Sequence, residues 1–119
     1  MLKTGVSRVE AFEAAMAEAG QHRAMGDAES AFAALERAHV LGQLEFVPHL
    51  RVHWQMLRVG WSAGEWREVT GQVMRIALVP VGHLFGRLPI GNTGRANVSA
   101  FKPMAIPPEL KRLIEECDR

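Results

Sequence analysis

Cysteine is nearly absent from this chain of 119 residues, where Cys117 stands alone. A single thiol excludes an intramolecular disulfide and a thiolate cluster for zinc, and it suits a reducing compartment. An excess of charge is also missing, since 14 Lys and Arg face 13 Asp and Glu for a net charge of +1. No basic surface of the kind that coats nucleic acid follows from that balance. Long apolar runs are lacking too. The most apolar stretch, 76–85, is interrupted by Pro80, Gly82 and His83, well short of the roughly 20 residues a membrane span needs. The opening residues have no apolar core of a signal peptide. With 48% hydrophobic and 23% charged residues, the composition is that of a chain able to bury one core. The expectation is one soluble, cytoplasmic domain over 1–119, with no nucleic-acid or membrane partner.

The hydrophobic periodicity is helical throughout, and the predicted fold class is all-α. A first helix over about 7–24 carries Val9, Phe12, Met16 and Ala19 at three- and four-residue steps, opened by the capping box Ser7-x-x-Glu10. Gly26-Asp27 makes a turn, with the aspartate placed to cap a second helix over about 28–41. Pro48 suits the first turn of a third helix over about 48–60. Its heaviest apolar stripe is Leu50, Trp54, Leu57 and Trp61, with Val52, Met56 and Val59 beside it, and Trp54, Trp61 and Trp66 read as core and hairpin-turn packing. Ser62-x-x-Glu65 suggests another capping box, opening a fourth helix over about 63–79 through Trp66, Val69 and Val73. Glycines and prolines then dominate an irregular tail, 80–107, before a short final helix over 108–117. Two antiparallel hairpins result, and the first, AEAGQHRAMGDAESAFAALERAHVLG, resembles one unit of a tetratricopeptide-like repeat.

Chemistry concentrates between Glu36 and His53, which hold three of the five histidines. Glu36 and His39 are spaced E-x-x-H, and His49 and His53 are spaced H-x-x-x-H, so each pair shares a helix face. Folding the two helices together across a loop at about 42–47 brings all four toward one end of the hairpin. Three imidazoles and a carboxylate form an N₃O set that suits zinc, iron, copper or nickel. Met56, seven residues after His49, adds slight support for copper. A di-iron centre would need a second E-x-x-H pair and further glutamates, and only one such pair is present. Glu36 therefore serves either as the fourth ligand or as the acceptor that holds an imidazole tautomer. Three protein ligands would leave a position for a metal-bound water, while four would indicate storage, sensing or structure, so the sequence leaves an enzymatic role open. His22 and His83 fall outside this spacing and read as surface or packing residues.

The tail segment GNTGRANVS lacks the Gly-Lys-Ser/Thr ending of a phosphate loop. Asn92 and Asn97 instead suit a tight irregular fold, which could act as a lid or brace over the histidines. The combination ERAH-x-x-G-Q, H-x-x-x-H-x-x-M-L and GNTG-x-x-NVS-x-F-x-PM-x-IP resembles a family of small bacterial proteins that carries a domain-of-unknown-function label. That resemblance implies that Glu36, His39, His49, His53, Asn92 and Asn97 lie in the family's defining motifs, and it implies no activity. Two functions compete: transition-metal binding, and a helical-repeat module that binds a protein partner without metal. A third, metal-free acid-base catalysis by Glu36 and His39, has no visible nucleophile beside it.

Overall fold

A computed structural model describes residues 7–117, with side chains through 115; the readings made for residues 1–6 and for the Cys117 thiol lie outside what it describes. Five helices follow one another: α1 (Arg8–Ala24), α2 (Ala28–Gly42), α3 (Phe46–Ala63), α4 (Trp66–Phe85) and α5 (Pro108–Cys117). Helices α1 and α2 pack as one hairpin and α3 and α4 as a second, joined where α2 meets α3, while α5 lies against α1 and α2. No described helix is long and apolar enough to cross a membrane.

The first hairpin is built from small residues around two larger ones. Ala15, Ala19, Ala31, Ala34 and Ala38 are buried with Phe12, Phe32 and Leu35. Alanine brings helix backbones close while losing no side-chain entropy. The caps match the sequence: Ser7 Oγ accepts from Glu10 N at 3.1 Å, and Asp27 Oδ1 accepts from Ser30 N at 3.1 Å. Val9, expected inside, is exposed.

The second hairpin departs from expectation in three ways. First, α3 begins at Phe46 and runs through Ser62 to Ala63, with Gly64 closing it in the left-handed conformation at φ 69°. Ser62 therefore caps nothing, and α4 starts from Glu65 without a side-chain cap. Second, the tryptophans are not core. Trp54, Trp61 and Trp66 are 53%, 65% and 57% exposed, and Trp61 meets Trp66 edge to face across the turn at 5.2 Å. The buried face of α3 is instead His49, Val52, His53, Met56, Val59 and Gly60. A tryptophan stripe and a histidine stripe compete for one helix, and the histidines win because α4 answers them with polar partners.

Third, α4 continues through Pro80 to Phe85. Proline removes one backbone hydrogen bond and crowds the preceding turn, at about 3 kcal/mol. Pro80 sits on the exposed side while Val79 is buried, and the added turn carries His83 toward α3. The irregular segment therefore spans 86–107 rather than 80–107.

Candidate metal centre

The inner face of α4 is polar: Glu68, Gln72, Arg75 and Val79 are its buried residues, at steps of four, three and four. Opposite lie His49 and His53, one turn apart on α3, and His39 from the last turn of α2. A loop of only three residues, 43–45, joins α2 to α3, so His39 meets the first two turns of α3 at one level. The three Nε2 atoms form a near-equilateral triangle, with separations of 3.1, 3.1 and 3.2 Å.

Those short separations are not three hydrogen bonds. His39 Nδ1 lies 2.6 Å from the main-chain oxygen of Asn92, which can only accept, so this nitrogen carries the proton. His53 Nδ1 lies 2.7 Å from Gln72 Oε1. The Gln72 amide cannot be turned round, because its Nε2 donates to Glu68 Oε2 at 2.6 Å and to the Gly94 oxygen at 2.9 Å. His53 therefore also holds its proton on Nδ1. Two bare lone pairs, on His39 and His53 Nε2, face each other 3.1 Å apart. His49 Nδ1 lies 3.0 Å from His83 Nε2; when His49 donates to His83, its own Nε2 becomes the third lone pair.

Burial keeps these rings neutral. It is the largest cause lowering His39 well below the ordinary histidine value, followed by the neighbouring His53 and His49. Burial first, then His53 and His83, lowers His49 to about 3. Burial also brings His53 to about 4, against the opposing hydrogen bond from Gln72. Neutral imidazole is the metal-ligating form.

The tail is the other wall. Asn92 is buried, donating from Nδ2 to the oxygens of Ser99 and Lys102 at 2.8 and 2.7 Å and accepting the Gly94 amide at 2.8 Å. That local turn aims the Asn92 carbonyl at His39. Gly94, at φ 83°, lies against the His39 ring so closely that a Cβ would come within 2.6 Å of it. Gln43 fixes the start of the tail, donating to the Pro89 oxygen at 2.6 Å and accepting from Gly91 N at 3.0 Å. Asn97 is exposed beside Ala96 and Val98, away from the histidine nitrogens.

Glu36 lies elsewhere in the network. Its Oε2 accepts from Arg95 Nη1 at 3.3 Å, and Arg95 Nε donates to Glu68 Oε1 at 2.8 Å. The Arg95 guanidinium also stacks 3.8 Å over the Phe32 ring. Burial raises the Glu36 carboxyl despite Arg95. Glu68 is also penalised by burial, yet hydrogen bonds from Gln72, Arg95 and the Ala96 amide hold it below the ordinary value. Among the described residues, the group of side chains able to share one ion is His39, His49 and His53, with ligand atoms within 4.8 Å of one another. Met56 is fully buried in the apolar core cluster, which withdraws its slight support for copper.

Sequence reasoning missed Gln72, and it did not place Arg75 or His83 beside the histidine cluster. Glu68-x-x-x-Gln72-x-x-Arg75 is a polar stripe at helical spacing, which reads as a solvated face until a histidine stripe is set against it. His22, by contrast, sits near Glu18 and Asp27 at the end of α1.

No curated protein and no solved structure matches the chain. A family model described as a protein of unknown function (DUF3703) matches residues 7–114. That match takes in both hairpins, the tail and most of the last helix, and with it every residue of the histidine centre: the chain belongs to this family of proteins of unknown function.

Proposed function

We propose that the protein binds one transition-metal ion through Nε2 of His39, His49 and His53. The observation that carries this reading is the convergence of the three nitrogens at 3.1–3.2 Å, with the Nδ1 protons of His39 and His53 committed elsewhere. Facing lone pairs repel, and burial keeps water from relieving them; a cation bound to all three turns that repulsion into attraction. The dimensions fit. Nitrogens 3.1–3.2 Å apart could all be reached by one ion at metal–nitrogen distances of about 2.0–2.1 Å. Asn92 and Gln72 would act as outer partners that fix ring orientation and raise ligand basicity.

Three neutral nitrogen donors suit zinc, copper, nickel or iron and leave at least one position for a further ligand. Glu36, paired with Arg95, is assigned to bracing α2 against the tail rather than to holding the ion. The test is metal analysis of protein purified without a histidine tag, comparing wild type with His49→Ala, His53→Ala and Glu36→Gln. One equivalent in the wild type and in Glu36→Gln, with loss in both histidine variants, is expected. Sub-stoichiometric metal unaltered by the histidine substitutions would sink the proposal.

The alternative, a protein-interaction module, draws on one observation: Phe46, Val47, Leu84 and Phe85 are exposed near the α2–α3 turn and the end of α4. A partner on that surface predicts binding that survives removal of metal.

A further inference from the structure

A cavity of about 490 Å³ adjoins the histidine centre, with His49 and His53 in its wall and Leu78, Val79, Val81, Phe85, Leu88 and Phe101 supplying most of the remainder. Its size is within the range of small-molecule sites. Two arginines interrupt this wall, the exposed Arg87 and the buried Arg75. Arg75 is only 6% exposed, yet no described carboxylate forms an ion pair with it. Its guanidinium donates to two carbonyls alone, Gly71 at 3.1 Å and Val98 at 2.6 Å.

A bound divalent ion would upset the local balance of charge. Glu36 and Glu68 are both engaged by Arg95, so two carboxylates stand against the two guanidiniums of Arg95 and Arg75. A divalent ion on three neutral imidazoles would add its full charge on the same side as the buried Arg75. Isolated buried charge is strongly unfavourable unless an opposite charge accompanies it. Nothing in the described protein supplies that charge on the cavity side. A ligand that does so must carry an anionic oxygen for the metal and Arg75, together with an apolar body for the surrounding wall.

We propose that this cavity binds a small monocarboxylate with an apolar body, of the size of benzoate or octanoate. The carboxylate would occupy the open position of the metal and lie against Arg75, with the hydrocarbon against Leu78, Leu88 and Phe101. This inference rests on the metal reading, and its test separates the two.

Protein stripped of metal is loaded with Co(II), whose visible absorption reports coordination, and then titrated with octanoate, octanamide, acetate and inorganic phosphate. A saturable spectral change with octanoate is expected. Octanamide and acetate should each bind at least ~10-fold more weakly, since one lacks the charge and the other the apolar body. Failure of Co(II) to bind would overturn the metal reading. Co(II) binding with a spectrum indifferent to octanoate would overturn this inference alone, as would acetate or phosphate matching octanoate. Arg75→Met should weaken octanoate by ~10-fold or more while leaving the cobalt spectrum of the ligand-free protein unchanged. Because Arg75 also holds the Val98 carbonyl, the ligand series on the unaltered protein decides the matter if that variant fails to fold.

Discussion

The two hairpins use the same architecture to opposite ends. Between α1 and α2 the contact is apolar and made of small side chains, with Ala15, Ala31 and Ala38 around Phe32 and Leu35. Between α3 and α4 the facing stripes are His49 and His53 on one side and Glu68, Gln72 and Arg75 on the other. The apolar half needs only shape. The polar half must satisfy every donor and acceptor it buries, and it recruits the tail to do so, through the carbonyls of Asn92, Gly94 and Val98. What remains after that accounting is the set of imidazole lone pairs. A helix pair can therefore be stable and still carry a local excess of electron density, provided its neighbour supplies an ordinary core.

Acid should affect the polar half most. His49 and His53 have folded values of about 3 and about 4, against about 6.5 when unfolded. The unfolded chain then binds more protons below the unfolded value, so stability is present above pH 6.5 and is lost as pH falls toward the folded values. In metal-free protein, urea melts at pH 7 and pH 5 should differ by about 2 kcal/mol for each of these two rings. His39 acts in the same direction. Equal midpoints at the two pH values would contradict the burial of neutral imidazoles.

Leu35→Ala tests the apolar half. Leu35 is completely buried, and its truncation should cost about 2–5 kcal/mol in a denaturant titration. The folded variant should still take up one equivalent of metal, because Leu35, one turn before His39 on α2, makes none of the hydrogen bonds that hold the three rings. Loss of metal at full folding would show that the halves are coupled.

Gln72→Leu addresses the link between helix and ligand. It removes the acceptor from His53 Nδ1 and the donor to Glu68 and Gly94. Metal affinity in a competition titration should fall by about 10–100-fold, with a smaller change in thermal midpoint than Leu35→Ala produces. An unchanged affinity would remove Gln72 from any role in holding the ring.

Trp54→Ser should have the smallest effect. The ring is more than half exposed, and substitutions at such positions usually stay within about 0.5 kcal/mol. A larger loss in the melt would mean that the tryptophan stripe is covered in solution.

The helices were legible because their signals are local. Ser7 and Asp27 cap the helices they precede, and H-x-x-x-H shares a face wherever its segment is helical. The errors lie where local signals conflict. Ser62-x-x-Glu65 has the spacing of a capping box, but α3 holds its last turn until Gly64. Pro80 reads as a helix end, yet α4 passes through it, with Val79 buried before it and His83 bonded to His49 after it. The tryptophan stripe outweighs the histidine stripe on any hydrophobicity scale and loses in the fold.

The sequence by itself determined an all-helical chain and the facing of His49 with His53, since both follow from the period of one helix. The same spacing logic paired Glu36 with His39, and there it could not decide between a fourth ligand and the acceptor that holds an imidazole tautomer. Only the tertiary structure turned Glu36 to Arg95, brought His83 behind His49 and set Gln72 against His53. It also aimed the main-chain oxygen of Asn92 at His39. The reason is physical: a backbone carbonyl is chemically the same at every residue, so where it points is a property of the folded path and leaves no mark in residue type.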